Sequence, residues 1–337
     1  MALTYTNWQR NTGLATSPGI NAIKTLHGWN QLVDIDFGNG YKTLRVSDYA
    51  IGSEQSPEAP DFVTGSSDRT AWYKGPVTIQ GSLSFPFTLP QTDTISGVEM
   101  FQKGAELSKD ITETFVIRSS ASEVVSGCKI NEITLSCEAG GAIEITSSIM
   151  ATSSSTDNTS NIEDPDPTPD PVYALDNGEP TGSTLGRGTL TIAQIPMWDA
   201  IHIQGAPDGM LITGFSITIN NNLRPFYTLG NNSGASPFGL NPTSIGANQR
   251  RITGNITWQS DANGLLDFVR GSGITEVGIF IGDVMRMTLT NCVWNAAPPR
   301  LSPGDRVTVQ TGFTALGSGG INDDGFDALV LSGSGIS

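Results

Sequence analysis

The sequence predicts an all-β protein that carries two tandem copies of one unit, each with paired strands, one amphipathic helix and one long polar loop. Composition gives the class: runs of Thr, Ser, Val and Ile are punctuated by 39 glycines and 19 prolines in 337 residues, the signature of short strands and many turns. Order gives the domain number, because two segments present the same series of strand, long polar loop, strand, helix and three further strands. A Pro-rich acidic run separates them. With 37% hydrophobic residues the chain buries a substantial core, and its length alone favours about two domains.

Residues 1–31 are polar and broken by Gly13, Pro18, Gly19 and Gly28, which predicts an extended arm with at most one short helix, over Ile20–Leu26. The first domain spans residues 32–151. In LVDIDF, alternation puts Val33, Ile35 and Phe37 on one face and leaves Asp34 and Asp36 on a solvated one; Gly38–Gly40 then turn the chain into YKTLRV, a hairpin. Asp48–Gly75 reads as a long polar loop, followed by the strand VTIQGSLSF at Val77–Phe85. Thr94–Leu107 carries Ile95, Val98, Met100 and Phe101 at helical spacing and meets a stop at Gly104. Strands are expected over Ile111–Ser119, Lys129–Cys137 and Ala142–Ala151.

Residues 152–183 form the linker, with Pro165, Pro167, Pro169 and Pro171 interleaved with Asp164, Asp166 and Asp170 as an extended, self-repelling rod that lets the halves sit side by side. The second domain spans residues 184–316. Ile212, Phe215, Ile217 and Ile219 alternate, as do Ile252, Ile256 and Trp258 on the return, so the two runs pair as a hairpin around a polar arm of about 25 residues, far longer than a tight turn needs. The helix Asp261–Gly273 answers the first one. After it, ITEVGIFIG matches ITETFVIRS, MRMTLTNC at Met285–Cys292 matches KINEITLSC, and RVTVQTGFTA matches AIEITSSIMA. In the tail, residues 317–337, the patch Phe326–Leu331 is expected to dock as a short strand on its own domain, with pairing to a neighbouring subunit as the alternative.

Chemistry is sparse. His27 and His202 stand in no HExxH, near no Cys cluster and beside no nucleophile, and the sequence holds neither a phosphate loop nor a nucleophile elbow, so no enzymatic activity, cofactor or metal is expected. Cys128, Cys137 and Cys292 form an odd set without CxxC spacing and read as small buried apolar residues. Nothing resembles a signal peptide or a membrane span, which predicts a soluble chain made in the cytoplasm. Lys+Arg 18 against Asp+Glu 33 gives a net charge of −15, which repels rather than grips a nucleic-acid backbone. Arg224, Arg250 and Arg251 are the nearest approach to a basic cluster; they either neutralise acids of the same chain or meet an acidic neighbour.

The run FSITINNNLRPFYTLG, the Pro/Gly-rich loop after it and the return RRITGNITW resemble the corresponding hairpin of the major tail tube proteins of long-tailed bacteriophages. The resemblance extends over both halves, and so implies a variant with a duplicated tube domain, two tandem tail-tube-type β-sandwich domains, each with one flanking helix and a long hairpin loop. It implies homotrimeric rings with pseudo-sixfold symmetry, stacked helically into a tube in the virion, with an acidic lumen for DNA ejection. Asp48–Gly75 and Asn220–Gln249 become the arms between rings, with Asp48, Glu54, Asp61, Asp68, Arg69, Trp72, Arg224, Phe226, Tyr227, Phe238, Arg250 and Arg251 as contact residues. Asp34, Asp36, Glu132, Glu138 and Glu144 become the lumen acids. The implied partners are further copies of the chain, a tape measure protein and transient DNA in the lumen, and tail terminator and distal tail proteins. A tail hub or distal tail protein with two such domains, or a surface β-sandwich adhesin, is the alternative.

Overall fold

Strand pairing across the chain is the organising feature of the computed structural model, which describes residues 32–38, 42–58, 73–89, 95–105, 115–119, 123–156, 175–176, 179–180, 196, 198–205, 211–228, 240–259, 275–295, 308–317 and 328–333. The N-terminal arm, most of the linker and the helix expected over residues 261–273 lie outside these. The described chain is mostly strand: β1 (Leu32–Asp36), β2 (Lys42–Arg45), β3 (Asp48–Glu58), β4 (Tyr73–Pro86), β5 (Phe115–Ser119), β6 (Glu123–Glu138), β7 (Glu144–Ala151), β8 (Ser153–Thr156), β9 (Leu175–Asp176), β10 (Glu179–Pro180), β11 (Ile201–Gln204), β12 (Leu211–Asn220), β13 (Leu223–Phe226), β14 (Ser244–Ala247), β15 (Arg251–Gln259), β16 (Thr275–Ile281), β17 (Met285–Asn295), β18 (Thr308–Ala315) and β19 (Leu329–Ser332). The all-β class is as the composition predicts.

One helix, α1 (Gly97–Ala105), is described; it begins at Gly97, later than its apolar spacing predicts. Its start is fixed by two hydroxyls: Thr88 Oγ1 accepts the Gly97 N–H at 2.8 Å and Ser96 Oγ accepts the Glu99 N–H at 3.0 Å. Val98, Met100 and Phe101 are buried, and α1 packs on β6 and β7.

Two series of antiparallel pairs recur in the same order. In the first, β1 pairs with β5, β5 with β6, β6 with β7, β7 with β4 and β4 with β3. In the second, β11 pairs with β16, β16 with β17, β17 with β18, β18 with β15 and β15 with β12. The details recur as well. The register slips between Phe115 and Ile117 of β5 and again between Thr275 and Val277 of β16. Left-handed residues occur at Gly127 (φ 66°) in β6 and Asn291 (φ 49°) in β17, the residue types that tolerate this conformation. The thiols of the next residues donate to carbonyls three positions back, Cys128 to Val125 O at 3.3 Å and Cys292 to Leu289 O at 3.5 Å. Cys292 therefore corresponds to Cys128, and the segment match that aligned it with Cys137 is corrected by strand register.

Three further expectations change. Asp34 is not solvated: at 5% exposure it is buried between Val33 and Ile35, in register with Thr43 of β2 and Arg118 of β5. The supposed loop from Asp48 begins as the 11-residue strand β3, paired with β4. The start of the linker is strand too, β8 pairing with β6 as β19 of the tail pairs with β17. In both hairpins strong pairing to a neighbour outweighs polar composition.

A single apolar core runs through both series. In the second it includes a tilted aromatic group, with Trp294 centred 5.9 Å from Trp258 and 5.0 Å from Phe313. A Cβ on Gly254 would lie 2.2 Å from the Phe313 ring. Gly254→Val should therefore displace that ring and cost about 1–3 kcal/mol, as overpacked cores do, measured as a lower urea midpoint with unchanged m. Burial pushes the Cys128 thiol up to about 12 and the Cys292 thiol up to about 11. Both stay protonated at pH 8, so neither should react with a thiol-specific disulfide reagent until the protein is unfolded.

Candidate functional site

A continuous antiparallel sheet in the order β3–β4–β7–β6–β12–β15–β18–β17 spans both series, because β6 and β12 pair directly. Alternation then sorts its residues. Ile133, Leu135, Ile145, Ile149, Ile217, Ile219, Ile252 and Ile256 point into the core. The opposite, open face carries Ser82, Ser84, Thr146, Ser148, Thr134, Ser136, Ser216, Thr218, Thr253, Asn255, Gln310 and Thr314, short polar groups with few charges.

Register also fixes the two ends of this face. Asn220, Glu132 and Arg251 lie at the end where the arms leave, and Glu138, Glu144 and Asp48 lie at the other. Of the five acids expected together, Glu132, Glu138 and Glu144 share the open face, and Glu138 and Glu144 are exposed on it. Asp34 and Asp36 do not join them; they sit on β1 in the other part of the fold, where Asp36 Oδ1 accepts the Gly38 N–H at 2.7 Å. Asp48 and Glu54, expected in an arm, are exposed residues of β3 instead. Asp61, Asp68, Arg69, Trp72 and Phe238 lie outside the described residues.

The junction between the halves is stitched by side chains as well as by its ladder. Thr134 and Thr218 hydroxyls meet at 2.9 Å, and Asn220 Nδ2 donates to Glu132 Oε2 at 2.6 Å. Backbone bonds carry it past both strand ends, Ala139 N–H to Thr213 O at 2.8 Å and Asn221 N–H to Asn131 O at 2.7 Å. The Asn-rich turn is thereby explained residue by residue. Asn220 holds Glu132 and accepts the Asn222 N–H at 2.7 Å; buried Asn221 donates to Gly104 O and Ile130 O, each at 3.0 Å; Asn222 takes the left-handed φ of 49° that turns the chain into the arm.

The base of that arm is a two-stranded ribbon, β13 with β14, and it lies across the first series. Lys129 Nζ donates to Ile245 O at 3.0 Å, Leu223 N–H to Asn131 Oδ1 at 2.8 Å, Val77 N–H to Leu240 O at 2.7 Å and Tyr227 Oη to Val77 O at 3.1 Å. Burial lowers the pKa of Lys129 from its ordinary value. Arg250 donates to Ala105 O, the last residue of α1, where a cation also suits the helix dipole. Arg224, Arg251, Phe226 and Tyr227 are exposed. The sequence reading missed Lys129 and Asn131; a lysine and an asparagine beside core isoleucines in KINEI were the available signal.

No helix among the described residues is long and apolar enough to cross a membrane, and no group of three His, Cys, Asp or Glu among them could hold a metal ion. A long antiparallel sheet with one open polar face and a ribbon laid across its first half makes this a β protein built on continuous strand pairing. The chain belongs to the phage tail tube protein family, whose model matches residues 12–315. It is thus a structural component of the tail tube of a phage virion, in a family whose members self-assemble into a tube. No curated protein matches it.

Lys129→Met should loosen the ribbon without opening the sheet. A hydrogen bond from a charged donor contributes about 1.5–3 kcal/mol, so amide exchange of β13 and β14 should accelerate roughly tenfold or more while that of β12 and β15 stays unchanged.

Proposed function

We propose that the chain carries two copies of one tube unit, residues 32–151 and 184–316, and that three chains close into a ring of six units. Rings stack helically into the tail tube. The observation that carries this reading is the β6–β12 ladder: within one chain it joins the sheet of the first half to that of the second. The strand that corresponds to β12 in the first series is β3, and among the described residues its second edge pairs with no strand. An open edge of 11 residues calls for a partner. A second chain supplies it by repeating the β6–β12 geometry with its own second half, and a heterologous contact of this kind closes a ring when the rotation permits.

The open polar face lines the lumen in this arrangement. Short hydroxyl and amide side chains bind a phosphate backbone weakly, and Glu132, Glu138 and Glu144 together with Asp48 and Glu54 repel it. The net charge of −15 supports the same role, a conduit through which DNA passes during ejection without being held. The tape measure protein occupies this lumen before DNA does, and terminator and distal tail proteins cap the two ends. The arms contact the adjacent ring through their tips, while the ribbon β13–β14 stays in its own ring. The chain is made in the host cytoplasm and has no catalytic role.

Negative-stain electron microscopy of the purified chain over a concentration series tests this reading. Stacked rings with a central hole and threefold or pseudo-sixfold end-on averages are expected. A monodisperse monomer at every concentration would overturn spontaneous assembly and favour a tube protein that needs an initiator.

A further inference from the structure

Around the left-handed residues Gly127 and Asn291 the two pairing series match closely, and then diverge. In the first, Lys129 follows Cys128, lies opposite Met150, and is covered by the ribbon through its bond to Ile245 O; Asn131, two residues on, accepts the Leu223 N–H. In the second, Val293 follows Cys292 and lies opposite Thr314, and Asn295 stands where Asn131 stands. These positions are bare. Val293 is 41% exposed, Asn295 is exposed, and Leu316, just beyond β18 on the same face, is 45% exposed.

We propose that Val293, Leu316 and Asn295 form the docking surface for the β3–β4 end of a second copy of this chain. The inference rests on the ring reading above. Within one chain the corresponding surface is already occupied by the arm leaving β12 and β15, and β3 and β4 are the strands that correspond to them. In a ring, the β3–β4 end of the next chain is the group that reaches Val293. Chemistry separates the two sites: a lysine bond to a carbonyl holds the contact within a chain, and an apolar pair makes the contact between chains. Burying Val293 and Leu316 removes apolar surface that the isolated chain leaves in water, whereas an amine at position 293 would have to be stripped of water each time a chain joined. Asn295 is set to accept a backbone N–H, as Asn131 does from Leu223.

The test replaces Val293 by the photocrosslinking residue p-benzoylphenylalanine in the full chain and irradiates assembled material. Interchain crosslinks to the segment between residues 48 and 86 are expected. Tubes whose crosslinks fall only elsewhere, or that give none, overturn this contact and leave the ring reading standing. Wild-type chain that never assembles overturns the ring reading and this contact with it. As a second variant, Val293→Glu combined with Leu316→Glu should raise the concentration needed for assembly at least about tenfold with an unchanged thermal midpoint. Assembly at the wild-type concentration would overturn the proposal.

Discussion

The ladder between β6 and β12 is the interaction on which the rest of the structure depends. It pairs residues from Glu132 to Glu138 with residues from Gly214 to Asn220, and among the described residues it is the one strand pairing that joins the two series into a single sheet. β6 can serve this purpose because it is long, 16 residues, and works twice. Its first part pairs with β5 and β8, and its second with β7 and β12. Gly127, left-handed at φ 66°, marks the change of partners; a β-branched residue there would meet a steric penalty that glycine avoids. Every backbone donor along such a strand needs an acceptor, so a strand with two sheets to serve has little freedom to slip.

From that ladder follow both the polar face and the position of the arm. Because register is locked by isoleucines on the core side, Thr134, Thr218 and their neighbours are held outward along the whole sheet. The face is smooth because its side chains are short, and its charges are carried mainly by acids. The Asn220–Asn222 turn at the end of the ladder directs the ribbon sideways onto Lys129 and Asn131 rather than straight out. An arm that looked in the sequence like a free bridge is thus, at its base, a latch within the chain.

The difference between Lys129 and Val293 shows how near-identical frames can carry different contacts. A buried amine is costly unless it finds a carbonyl, and within one chain the carbonyl of Ile245 is always present. An exposed valine costs little in a free chain and gains when covered. Intramolecular and intermolecular contacts face different conditions, and the two positions carry the residue types each condition favours.

Alternating apolar residues were enough to fix the all-β class, the hairpins around Gly38 and around the long arm, the helix near Val98 and Phe101 and the docking of the tail strand, because periodicity and turn chemistry are local properties. The tube-protein hairpin was legible for the same reason, and the even spacing of Glu132 and Glu138 along one strand turns both to one face, where pairing adds Glu144. Local pattern could not decide the burial of Asp34, the strand at Asp48–Glu58, the equivalence of Cys128 with Cys292 or the embrace of the arm by Lys129 and Asn131. Each depends on which distant strand lies alongside, a choice made by the summed burial and hydrogen bonding of residues far apart in the chain, as in the pairing of Glu132 with Asn220, 88 positions away. The sequence by itself determined strands and faces; only the tertiary structure decided which edges are joined inside the chain and which remain open.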